Sequence, residues 1–188
     1  MELKDCIMEM LPEEEQSAVR ELTEDYEEGE PEDFFDKYPE LLSGYEDEDE
    51  FLEEVSDGTV TLGTVLIWYL AERGFLFPMD WDGEEEEGLL AAYINYRLEC
   101  MDCDFTVDTE PFYRRVSAFG WKPEPENLTW ALIQEADRQL RQKGYCLLGA
   151  DPFCEPDTVY LGVYSFRRAG LLMKKAPDDV DLSWAADL

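Results

Sequence analysis

Tyr145-Cys146-Leu147-Leu148 and Val159-Tyr160-Leu161-Gly162-Val163-Tyr164 decide the fold of this 188-residue chain. Both are short apolar runs, and the second is rich in Val and Tyr, the composition of strands. Between them, Asp151-Pro152-Phe153-Cys154-Glu155-Pro156-Asp157 is dense in turn formers. The pattern predicts two antiparallel strands joined by a long hairpin loop. Upstream, Leu128, Ala131, Leu132, Ala136 and Leu140 recur at helical spacing, and Asn127 can cap that helix. Arg138, Arg141 and Lys143 fall towards its negative end, and Gly144 stops it. Phe166 to Met173 adds one more turn of helix.

The rest reads as helix. Leu3, Ile7, Met10 and Leu11 suit a short first segment. Pro12 opens a second, with Glu13, Glu14 and Glu15 in its first turn and Ala18, Val19, Leu22 and Tyr26 on one face. Pro31 starts a third through Phe34, Phe35, Tyr38, Leu41 and Leu42, with a break expected at Pro39. Asp47 and Glu50 stand at capping-box spacing ahead of Phe51, Leu52 and Val55. Asp82 and Glu85 repeat that spacing before Leu89, Leu90, Tyr93, Ile94 and Leu98. The stretch from Val60 to Arg73 is apolar nearly all round, as a buried central helix is.

The fold class expected is therefore α+β and predominantly helical: a helical bundle-like N-terminal part with a small C-terminal antiparallel β-hairpin packed on a long helix. One domain over 1–175 is the simplest organisation, with 74–83 and 120–126 as alternative boundaries. The tail over 176–188 reads as loosely attached, unless Trp184 pins it.

Charge is distributed very unevenly. Residues 1–60 hold 24 Asp or Glu against Lys4, Arg20 and Lys37, a net −21, whereas residues 121–188 net −3. The whole chain carries −32, with a pI near 4.1. Aromatics at 13% place it outside the disordered acidic tails, so the acid belongs to a folded domain. Such a field repels nucleic acid and anionic membrane surfaces and attracts basic proteins or cations. A halophile's acid would cover all of the surface; this gradient does not.

The runs Glu13–Glu15, Asp47–Glu50 and Glu84–Glu87 sit at expected helix starts, where exposed N–H groups favour carboxylates by about 0.3–1 kcal/mol each. A helix start offers only about half a positive charge against three or four carboxylates, so most of that charge stays uncompensated. Aromatic residues lie among the acids. Core filling explains Phe34, Phe35 and Phe51; Tyr45, between Gly44 and Glu46, and Trp81 suit interface anchors. The expected partner-binding residues are Tyr45, Glu46, Asp47, Glu48, Asp49, Glu50, Glu53 and Glu54, with Trp81, Glu84, Glu85, Glu86 and Glu87.

The chain has no histidine, which removes Ser–His–Asp and Cys–His catalysis. Cys100-Met101-Asp102-Cys103 has no second close pair; Cys146 and Cys154 stand too far apart for a zinc knuckle. At a helix end it is also misplaced for a redox motif. Asp80-Trp81-Asp82-Gly83 lacks the third ligand of a calcium loop, and no phosphate-binding glycine loop occurs. No cofactor or metal is expected. Five cysteines without a secretory signal suggest reduced thiols in a cytoplasm, and no stretch reaches the roughly 20 apolar residues of a membrane span. The cluster Arg167, Arg168, Lys174 and Lys175 is expected to dock against the acidic half.

The segment from Leu128 to Met173 (long helix, Gly144–Leu148, an acid-bearing loop, Asp157–Val163, closing helix) resembles small acidic bacterial proteins, some of which are immunity proteins beside polymorphic toxins. The resemblance covers the last quarter of the chain and carries over no functional residue. It implies an acid-and-aromatic surface opposing a basic toxin. The reading is a non-enzymatic cytoplasmic module that binds and neutralises or escorts a basic protein. The alternatives are a nucleic-acid mimic, whose carboxylates stand in for phosphates, and a carboxylate-based enzyme. Nothing in the sequence sets an oligomeric state.

Overall fold

The computed structural model describes residues 11–42, 44–45, 47–120, 124–151, 157–174 and 181–185. Among them it holds eight helices and one four-stranded sheet, an α+β fold that is predominantly helical. The segment expected to be a first helix lies outside the described residues, save Leu11.

Four helices form the N-terminal part: α1 (Glu13–Glu28), α2 (Pro31–Lys37), α3 (Glu48–Asp57) and α4 (Leu62–Glu72). Helix α2 ends two residues before Pro39, whose ring denies the residue ahead of it a helical conformation. The Asp47 side chain accepts from the Glu50 N–H and so caps α3. A reciprocal Thr61–Thr64 pair caps α4. That helix is apolar on nearly every side because it is central: Val65 and Leu66 are fully buried. Val19, Leu22, Phe34 and Phe51 close over it to make the first core. Each such side chain contributes about 1.5–3 kcal/mol by leaving water.

The expected hairpin is present as β2 (Tyr145–Asp151) and β3 (Thr158–Ser165), antiparallel with Leu147 opposite Val163. The sheet is wider than a hairpin. Strand β1 (Phe77–Asp80) joins the free edge of β3, and β4 (Asp181–Trp184) joins that of β2, giving the order β1-β3-β2-β4. The tail is thus tied in through Leu148 opposite Trp184. Strand β1 has no counterpart in the sequence reading, since Phe-Pro-Met-Asp is too short to show a period; Pro78 is tolerated at a sheet edge.

Helices α5 (Leu89–Cys100), α6 (Glu110–Phe119) and α7 (Pro125–Arg141) follow β1, and α8 (Phe166–Leu172) follows β3. Side chains alternate across the sheet. Leu147, Val159, Leu161 and Val163 face α5 and α7 in a second core with Leu90, Ile94, Leu132, Ile133 and Leu140. Ala150 and Tyr160 face the first core, and Cys146 and Leu148 face α8. The sheet therefore separates two helical layers.

Two expected helix starts are corrected. Helix α7 begins at Pro125, so Asn127 lies within its first turn rather than capping it. Helix α5 begins at Leu89 after Gly88, which adopts a positive φ of 97°. Asp82 and Glu85 are too far upstream to form a capping box there. Asp80 to Gly83 is a turn instead, closed by Asp82 N–H donating to Asp80 Oδ1 at 2.7 Å and Gly83 N–H donating to Asp80 O at 3.0 Å. Helix α6 was also without a counterpart in the sequence reading. The irregular segment before it is held by amides: Asn95 exchanges two hydrogen bonds with Val107, and Gln139 two with Asp108.

Candidate functional site

Helix α3 repeats acid on a helical period. Glu50 and Glu54, one turn apart, share a face, although like charges at that spacing cost about 0.2–0.5 kcal/mol. They look across to α4, whose Trp68 and Glu72 are likewise one turn apart. Glu40, in the turn after α2, completes four carboxylates round a groove of about 580 Å³. Its walls are apolar and aromatic: Tyr45, Trp68, Leu41, and the adjacent sheet residues Pro78 and Tyr160. No basic side chain lines it among the described residues.

Tyr45 organises this groove. Its ring stands edge-on to Phe51 at 5.5 Å and to Trp68 at 6.1 Å, which fixes its plane. Its hydroxyl donates to Glu54 Oε2 at 2.5 Å, which fixes that carboxylate. A carboxylate bound to one phenol keeps lone pairs for a second donor. Carboxylates set over aromatic walls suit a guanidinium or an ammonium group, through charged hydrogen bonds and contact with ring faces.

The structure divides the sequence-predicted residues. Tyr45, Glu50 and Glu54 meet at the groove. Glu48, Asp49 and Glu53 are exposed on the same helix, and Asp47 is spent on its cap. Glu46 lies outside the described residues. The second group belongs to the other core. Trp81 is half-buried against it, and its carbonyl accepts from Thr129 Oγ1 at 3.0 Å. Glu84 accepts from the Gly88 and Leu90 N–H groups and from the Tyr113 hydroxyl. It neutralises the start of α5 from five residues upstream of Leu89. Glu85, Glu86 and Glu87 are exposed.

Sequence reasoning missed Glu40, Trp68, Glu72, Pro78 and Tyr160. The one available signal is Glu72, a single acid ending an otherwise apolar helix, one turn after Trp68. The remaining residues reach the groove only through tertiary packing.

Elsewhere the acids with displaced pKa values are held down by donors. Asp25 is lowered first by its hydrogen bond from Lys37 Nζ at 2.6 Å, then by that from Tyr38. Glu135 is lowered first by Arg138, which reaches it at 2.7 and 3.1 Å. Asp137 is 2% exposed; it accepts the Leu147 N–H at 2.8 Å and pairs with Arg141, tying α7 to β2.

Cys100 ends α5 and is exposed, and Cys103 is half-buried. Cys146 is buried, which pushes its thiol up to about 12. Cys154 lies outside the described residues, among which no group of three Cys, Asp or Glu is arranged to hold a metal. No described helix is long and apolar enough to cross a membrane.

The expected docking of Arg167, Arg168 and Lys174 against the acidic half is not what the described residues show. None of the three has a carboxylate within 4.0 Å among them. Arg167 and Arg168, at the start of α8, share a cleft with Arg97 and Met101 and with Leu11 of the N-terminal part, whose described side chain there is apolar. Lys175 lies outside the described residues.

A family model described as a domain of unknown function, DUF6630, matches residues 5–173. No curated protein and no solved structure matches the chain.

Proposed function

We propose that this chain, which belongs to the DUF6630 family, is a protein-binding module that captures a basic partner and neutralises or escorts it. Its most specific version is an immunity or antitoxin protein acting on a basic toxin. The observation that carries the reading is the groove, where Glu40, Glu50, Glu54 and Glu72 surround Tyr45, Trp68 and Tyr160. The net −21 of residues 1–60 draws the partner in. Such steering raises association rates by about 10–10³ and fades as salt shortens the Debye length to about 8 Å at physiological strength. An arginine or lysine then enters the groove, where ring faces and carboxylates meet it together.

Carboxylates gathered round an aromatic centre suit an inhibitor better than a nucleic-acid mimic, which needs them in a row at phosphate spacing. The test is affinity capture from the native host at low salt, eluted by a salt gradient, with wild type beside Glu50→Gln/Glu54→Gln/Glu72→Gln. The expected result is a basic protein held by wild type and released early from the variant. Recovery of no basic protein, or equal retention by both, would count against the reading.

A further inference from the structure

A second cleft, of about 580 Å³, has the opposite chemistry. Strand β1 pairs with β3 only as far as Leu161, so Val163 to Ser165 are left open on that side. Arg97 of α5 and Arg167 and Arg168 of α8 line the opening, with Phe75, Met101 and Leu171 as its apolar walls. Arg97 stacks on the Phe75 ring, its guanidinium carbon 4.6 Å from the centroid. Tyr164 lines the same cleft. Its ring folds back over Gly162, where a Cβ would stand 2.5 Å from the ring and 2.8 Å from the hydroxyl. Burial pushes that phenol up to about 12, and the charges of Arg97 and Arg168 act against the shift.

Six of the twelve described cations have a carboxylate within 4.0 Å. Yet Arg97, Arg167 and Arg168 all lack one within 4.0 Å among the described residues. Three of the six described cations in that condition share this one cleft. Moreover, Arg97 Nε is the one buried side-chain nitrogen or oxygen among the described residues with no hydrogen-bond partner. Buried donors are nearly always satisfied, so an orphaned one on a cleft wall calls for an acceptor supplied from outside.

We propose that this cleft binds a small amphipathic anion. A carboxylate or phosphate head is held by Arg97, Arg167 and Arg168, and an apolar body lies against Phe75, Met101 and Leu171. Planar guanidiniums match both head groups in geometry. The anion must be small and local, because the molecule's overall field repels extended polyanions. The site is independent of the acidic groove.

The test titrates the full chain by calorimetry with phenyl phosphate, 3-phenylpropanoate, inorganic phosphate and the neutral control benzyl alcohol. Saturable binding of an aryl anion is expected, with the preferred one identifying the head group and benzyl alcohol binding at least tenfold more weakly. Arg167→Gln/Arg168→Gln, two exposed positions, should weaken binding at least tenfold with an unchanged melting temperature. Arg97→Lys, which keeps the charge but not the fork, should weaken it as well. The proposal is overturned if neither aryl anion saturates, if benzyl alcohol binds equally, or if the double variant binds like wild type. Inorganic phosphate binding as tightly as phenyl phosphate would overturn the apolar-body assignment.

Discussion

Asp47–Glu50 and Glu84–Glu87 look alike in sequence, yet the fold employs them differently. Each is a run of four carboxylates ahead of an apolar helix. In the first, Asp47 caps α3, and Glu50 joins Glu54 one turn later at the groove round Tyr45. In the second, Glu84 turns inward onto two backbone N–H groups and a phenol, and the other three acids stay exposed. Local charge density therefore does not say which carboxylates the fold holds for itself. Glu54 also accepts a phenol, from Tyr45, but it does so on the wall of a groove, where a carboxylate keeps lone pairs for a second donor.

That contrast is open to breakage. The largest effect is expected at Glu84: Glu84→Ala leaves buried donors unmet and should cost about 2–3 kcal/mol in urea unfolding. A loss below 0.5 kcal/mol would place Glu84 with its exposed neighbours. Asp47→Ala removes one cap and should cost about 1 kcal/mol, with Asp47→Asn nearly neutral. Glu135, held by Arg138 and Arg115, gives the comparison a pH axis. Its folded pKa is lowered by Arg138, so its stabilisation is present above about pH 4.5 and is lost as pH falls through the folded value. Glu135→Gln should therefore cost about 0.5 kcal/mol at pH 7, and nothing in acid once the wild-type carboxyl is protonated. A cost that persists at low pH would mean the loss is one of packing. Smallest is the change at Glu48 and Asp49, where amide substitution should alter stability by less than about 0.5 kcal/mol.

Much of the fold was legible because it is written in local patterns. The β2–β3 hairpin, the long helix before it, the buried α4 and the cap at Asp47 are each carried by one continuous stretch of sequence. Strand β1 did not, because four residues with a proline carry no period and gain their identity only from pairing with β3. The start of α5 was misread for a related reason: Gly88 lets the chain turn at positive φ, and the capping carboxylate arrives from Glu84 through the loop. Asp137 of α7 is buried against β2, a role that no local pattern marks because it depends on where Leu147 lands. The site was half legible. Tyr45, Glu50 and Glu54 follow from aromatic and acid in one loop-helix unit. Trp68, Glu72 and Tyr160 join them from elements distant in sequence, which no local reading supplies.

The proposed receptor is the groove rather than the net charge, and charge-matched variants separate the two. Glu50→Gln/Glu54→Gln/Glu72→Gln and Glu85→Gln/Glu86→Gln/Glu87→Gln each remove three negative charges. Their affinities for one arginine-rich peptide, titrated at 0.15 M salt against wild type, decide between them. The account predicts a tenfold or greater loss for the first variant and less than threefold for the second. Equal losses in both would contradict it and leave only a diffuse acidic field.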